Sequence, residues 1–198
     1  KSLSTDVYVG SSAAINGQGT FNVNVVPVIG LGEFDTTSSS YGVATINVGA
    51  GVQATLKGGN QFVGTLVADA GVTNWQSGDV TLGAATAFFN TGTFTATGNN
   101  TMSTAGAGSF TNNGTFRKDG GAGNTTMAVR FDHLGAAASG LVKTGVLVVG
   151  AASETTAAWQ TDAGAYLVYN GPTSLAEFDA GAQFDGQGTV SFINGAKA

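Results

Sequence analysis

Two short acid pairs have the spacing that catalytic or cation-binding carboxylates use. Glu33-Phe34-Asp35 and Glu177-Phe178-Asp179 each place acids at i and i+2. Side chains two apart on a strand share a face, so each pair projects two carboxylates together if the central Phe turns inward. Such a pair suits a calcium ion or acid–base attack on a glycosidic bond. The plainer expectation is a core Phe with solvated flanks, because nothing in the sequence brings a third acid such as Asp162 or Asp185 alongside. His133 is the single histidine, close to Arg130 and Asp132. One His excludes a two-His metal site, and no Gly-x-Ser-x-Gly elbow supplies a nucleophile for a triad. We therefore expect His133 in a surface turn. Trp75 and Trp159 each precede a Gln and are expected to be buried at bends of the chain. Tyr166 and Tyr169 are three apart, hence on opposite faces of a strand, and an outward one could stack on a sugar ring. The candidate surface-binding set is Glu177, Asp179, Tyr166 and Tyr169.

The elements that must position these residues follow from composition and pattern. The chain has 32 glycines among 198 residues, about twice the usual share, and only 10% charged residues. Gly costs roughly 1 kcal/mol per helical position relative to Ala, so long helices are disfavoured. Two prolines and no three-residue Gly period exclude collagen. An apolar share of 42% with low charge excludes a typical disordered tail. The net charge of −5, with basic residues scattered apart from Arg117-Lys118, argues against nucleic acid and against an anionic membrane surface. No apolar run approaches the roughly 18 residues of a membrane span. No cysteine means no disulfide and no thiolate metal site, and no cofactor is expected. The opening Lys1-Ser2-Leu3 reads as a processed chain or an excised fragment.

Strand signals recur throughout, as in Val43 to Val48 and Val146 to Val149, bounded by Gly, Asn and Ser. The strongest organising signal is an internal repeat. Phe88-Phe89-Asn90-Thr91-Gly92-Thr93-Phe94 and Phe110-Thr111-Asn112-Asn113-Gly114-Thr115-Phe116 align at an offset of 22 with five of seven positions identical. Gly98-Asn99-Asn100-Thr101-Met102 then matches Gly123-Asn124-Thr125-Thr126-Met127 at an offset of 25, so three residues have been gained within Arg117 to Ala122. Looser copies begin at Ile15, Leu141 and Phe184. Phe131-Asp132-His133 is a weakened copy, with His133 at the position of the Asn.

A period near 21–22 residues suits one coil of a parallel β-helix. Each coil stacks on the last, so equivalent side chains form ladders along the axis. Phe94 would lie over Phe116, and Asn90 over Asn112, whose amides would satisfy turn carbonyls as amide ladders do in stacked strands. Gly92 and Gly114 would serve corners, which need φ > 0 or a bend without a Cβ. Insertions belong at corners, because one within a strand would turn core residues outward. At this period the chain would make about nine coils, a rod on the order of 40 Å long at the usual strand spacing. A β-sandwich is the competing fold; the repeat at fixed offset argues against it.

These motifs, with Gly186-Gln187-Gly188-Thr189-Val190-Ser191-Phe192, resemble the degenerate repeats of large bacterial surface proteins: adhesins, autotransporter passengers and haemagglutinin-like stalks. The resemblance covers about residues 43–196. It implies structural roles only, with Asn90, Asn112, Gly92, Gly114, Phe94 and Phe116 as ladder and corner positions and no catalytic residue. The resulting expectation is a single all-β domain, a right-handed parallel β-helix over residues 43–198 with an atypical coil or cap at 1–42. Its expected role is a non-catalytic, extracellular or cell-surface rod for adhesion or assembly in a bacterium. Expected partners are another copy, through end-to-end coil stacking, or surface glycans. The alternative is a β-helix that binds or cleaves carbohydrate with outward acids and aromatics.

Overall fold

A computed structural model describes residues 2–3, 7–9, 14–23, 33–37, 40–64, 66–150, 152–171 and 176–194, with side-chain surroundings described from Thr45 onward, Leu66 excepted. Among these residues every regular element is a strand, and no helix is long and apolar enough to cross a membrane. The first five strands are β1 (Ser2–Leu3), β2 (Val7–Val9), β3 (Ala14–Val23), β4 (Glu33–Thr37) and β5 (Ser40–Val48). Coils of three strands follow. They are β6 (Gln53–Lys57), β7 (Asn60–Phe62) and β8 (Leu66–Asp69); then β9 (Val72–Trp75), β10 (Val80–Gly83) and β11 (Ala87–Asn90); then β12 (Thr93–Ala96), β13 (Thr101–Ala105) and β14 (Ser109–Asn112). The next are β15 (Thr115–Lys118), β16 (Asn124–Ala128) and β17 (Arg130–His133); then β18 (Ser139–Val142), β19 (Val146–Val149) and β20 (Ser153–Thr155); then β21 (Ala158–Thr161), β22 (Tyr166–Asn170) and β23 (Ala176–Phe178). β24 (Gln183–Gly186) and β25 (Thr189–Ile193) continue two of the faces.

The result is a β-solenoid with three parallel faces. The first face is a nine-stranded sheet, β2-β4-β6-β9-β12-β15-β18-β21-β24. The second runs β7-β10-β13-β16-β19-β22-β25 and the third β8-β11-β14-β17-β20-β23, and the two are joined through β5. Ser40 and Tyr41 of β5 pair with β7, whereas Thr45–Val48 pair with β8, so the bend between these faces opens only after β5. β1 pairs with β3, β2 with β4, and both β3 and β4 continue into these ladders.

The repeat sets the register. Phe94 pairs with Phe116, Asn90 with Asn112, and Met102 with Met127 across the three-residue gain. Because side chains alternate along a strand, each coil sends one apolar set inward from every face. Two aromatic columns interlock as a consequence. Phe94 and Phe116 stack with ring centres 5.6 Å apart on the first face. Phe88, Phe110 and Phe131 stack at 4.9 and 5.5 Å on the third. Between columns the rings meet edge to face, as Phe94 does with Phe110 at 5.1 Å, the arrangement the ring quadrupoles favour. Leu82, Met102, Met127, Leu147 and Leu167 close the core from the second face, and all are fully buried.

Glycine at the two repeat corners serves close stacking. Neither Gly92 nor Gly114 has a positive φ. A Cβ at Gly92 would lie 2.1 Å from the Gly71 carbonyl oxygen, and one at Gly114 2.3 Å from that of Gly92. Successive coils can approach to strand spacing at this corner only without a side chain.

Candidate functional site

The third face ends, coil after coil, in one column of polar side chains turned into the corner. β8, β11, β14, β17 and β20 place Asp69, Asn90, Asn112, His133 and Thr155 in register. All five are buried, Asn90, Asn112 and His133 completely. Buried polar groups at this depth need partners, and the column supplies them. Asn90 Nδ2 donates to Asn112 Oδ1 at 2.6 Å and to the Thr115 carbonyl at 3.0 Å. Asn90 Oδ1 accepts the Gly92 N–H at 3.2 Å. Asn112 Nδ2 donates to the Gly114 carbonyl at 2.9 Å and to His133 Nδ1 at 2.8 Å. His133 Nε2 lies 3.1 Å from the Ala158 carbonyl. Since a carbonyl only accepts, His133 is the Nε2–H tautomer, with Nδ1 free to accept from Asn112.

This placement corrects the expectation of a surface turn for His133. An imidazole carries an acceptor and a donor on opposite sides, as a carboxamide does, so it takes the amide's place in the column. It also packs 4.7 Å from the Trp159 ring. Burial pushes the imidazole down to about 4, against the Ala158 carbonyl that favours the cation. At the other end of the column, burial pushes the Asp69 carboxyl up to about 6, opposed by the Thr73 hydroxyl and the Gly71 N–H. Asp69 Oδ1 accepts that N–H at 3.0 Å, while Oδ2 has no partner. Asp69 did not stand out in the sequence, although it lies one coil before Asn90.

The gained residues form a wider corner after β15. Lys118 turns inward there, fully covered, and its Nζ donates to the carbonyls of Gly98 (3.2 Å), Gly120 and Gly121 (2.9 Å). Burial lowers its pKa. Outside the corner, Asp119 pairs with Arg117 at 2.5 Å and Lys143 at 3.1 Å.

The surface candidates separate. Tyr169 is 1% exposed, its ring in the core against Phe178 and Phe192, and its hydroxyl lies 3.3 Å from Thr155 Oγ1. It is therefore no surface contact; burial pushes its hydroxyl above the ordinary range. Tyr166 is 45% exposed on β22, the second face. Glu177 is exposed on β23, the third face, and Asp179 is exposed in the turn that follows, where its carbonyl accepts the Ala182 N–H. Tyr166 and Glu177 thus lie on different faces. Glu33 and Asp35 lie on β4, where side chains are outside the described residues. Trp75 and Trp159 are buried, as expected, and Trp75 Nε1 donates to the Gly78 carbonyl at 2.8 Å.

Glu177 has acidic neighbours that sequence reading missed. It pairs in register with Glu154, whose N–H donates to Asp132 Oδ1 at 3.1 Å. Arg130 bridges this column, 2.7 Å from Asp132 and 3.7 Å from Glu154, and its pKa is raised first of all by the Asp132 hydrogen bond. The acids therefore hold an arginine. Among the described residues no group of three His, Cys, Asp or Glu side chains could hold a metal ion. A groove of about 340 Å³ on the first face is lined by Thr115, Arg117, Leu141, Gln160 and Asp185 among others, with Asp185 its single acid. No family model, curated protein or solved structure matches the chain.

Proposed function

We propose that this chain is a non-catalytic structural segment of an exported bacterial surface protein or extracellular filament, acting as a rod in adhesion or assembly. One observation carries the reading: among the described residues the strongly shifted ionisable groups, Asp69, His133 and Tyr169, lie in the interior. Catalytic acids and bases need shifted groups that reach substrate in a cleft. Here the outward acids Asp119, Asp132 and Glu154 are held by Arg117, Lys143 and Arg130. A solenoid converts sequence length into distance with little need for charge, and its partners in this reading are another copy stacked coil on coil or surface glycans. Antibodies against the chain should label intact, unpermeabilised source cells. Labelling only after lysis would overturn the reading, as would release of reducing ends when the chain is incubated with acidic and neutral polysaccharides.

A further inference from the structure

The hydrogen bonds of the buried polar column all point one way. Asn90 donates to Asn112, Asn112 to His133, and His133 to the Ala158 carbonyl. Backbone groups lock this direction. The Gly92 N–H holds Asn90 Oδ1, while the Thr115 and Gly114 carbonyls hold the Nδ2 groups of Asn90 and Asn112. Turning either amide over would set N–H against N–H and oxygen against oxygen.

The start of the column is the informative end. Asp69 Oδ1 accepts from Gly71 N–H, two residues on, as Asn90 Oδ1 accepts from Gly92 N–H. By this correspondence Asp69 Oδ2 takes the position that Nδ2 has in Asn90, the atom that serves the next coil's amide, and in that next coil Asn90 Oδ1 is already committed as an acceptor. An ionised carboxylate has nothing to donate there, and that oxygen is the partnerless one. A protonated carboxyl completes the series, its Oδ2–H donating to Asn90 Oδ1.

We propose that the column is a proton-coupled lock, closed when a neutral, protonated Asp69 starts it and a neutral Nε2–H His133 ends it. The lock opens at the Asp69 end when its proton leaves and at the His133 end when a second proton makes Nδ1 a donor facing the Asn112 amide. Among the described residues no charged side chain bonds to either group. Asp69 lies between Val48 and Asn90 with Thr73 across from it. His133 lies between Asn112 and Thr155, against Phe131 and Trp159, and Thr155 in turn has the Tyr169 hydroxyl 3.3 Å from its own. Asp132, Glu154 and Arg130 engage one another on the outward side of the same sheet.

The test is nitrogen NMR of the Asn90, Asn112 and His133 side chains in the whole chain, from about pH 3.5 to 8, for wild type and Asp69→Asn. The Asn90 amide should shift with a midpoint near 6, and that midpoint should vanish in Asp69→Asn, whose amide is a permanent donor. His133 should remain the Nε2–H tautomer until the pH falls close to 4. An Asn90 amide that is silent near pH 6, a midpoint that survives Asp69→Asn, or a neutral His133 carrying its proton on Nδ1 each overturns the lock. The wild-type titration decides the matter even if the variant folds poorly.

Discussion

Asp69→Asn should make the protein more stable at neutral pH and at the same time give it a dependence on acid that the wild type lacks. The folded pKa of Asp69 is raised from 3.8 to about 6. The native state therefore binds this proton more tightly than the unfolded chain. The associated stability is fully present below 3.8 and lost as pH rises through 6. At 1.36 kcal/mol per pKa unit the loss is about 3 kcal/mol. His133 runs the other way, from 6.5 to about 4. Its stability is present above 6.5 and lost as pH falls towards 4, again by about 3 kcal/mol. The two slopes are similar in size and opposite in sign, so between pH 4 and 6.5 they nearly offset one another in the wild type. Asp69→Asn removes the first slope and keeps the ladder. It should gain about 3 kcal/mol over wild type at pH 7 and lose about that much on acidification to pH 4. His133→Asn should show the mirror image, losing stability as pH rises from 4 to 6. Urea denaturation at a series of pH values, read by fluorescence of the buried Trp75 and Trp159, measures both. An Asp69→Asn variant no more stable than wild type at pH 7, or single variants that keep the wild-type pH profile, would refute the reasoning.

Phe116→Ala removes a fully buried ring that packs against Phe94, Phe110, Phe131 and Trp159, and should cost about 3–5 kcal/mol in denaturant titrations. Gly140→Ala places a Cβ 2.2 Å from Trp159 Cε3; it should cost about 1–3 kcal/mol and shift Trp159 fluorescence, with a smaller loss in a Trp159→Phe background. Lys118→Met takes this donor from the Gly120 and Gly121 carbonyls, while the Gly98 carbonyl keeps the Thr125 hydroxyl at 2.7 Å. It should cost about 1–3 kcal/mol and speed hydrogen exchange in the corner at 119–123, while amides of β8 and β11 keep their protection.

The period and the strand class were legible in the sequence because stacking repeats a one-dimensional pattern. Once coils lie in register, identical residues one coil apart become neighbours, as Phe94 and Phe116 do. A repeat therefore reports contacts directly, and it also located the three-residue gain in a corner. The candidate binding set was not legible in the same way. The spacing of three positions from Tyr166 to Tyr169 required opposite faces and left open which one was outward. The aromatic ring against Phe178 and Phe192 decides that Tyr169 is the inner one. Glu177 looked like one of a pair with Asp179, yet its register neighbour is Glu154, 23 residues earlier.

His133 marks the boundary between what sequence and structure each decide. Its alignment with Asn90 and Asn112 was visible in the repeat, but a single histidine among charged residues read as a surface turn. Depth depends on what the preceding and following coils supply. Asn112 donates to His133 from one coil, and Ala158 accepts from the next. The same holds for Lys118, which reads as part of a charged turn and is fully covered, bonded to three carbonyls that the wider corner brings around its ammonium. The sequence by itself determined the coil, its period and its aromatic and amide ladders, since these follow from residue spacing alone. Only the tertiary structure decided which polar groups lose water, and with it the protonation of Asp69 and His133, because desolvation is a property of the packed coils and not of any one of them.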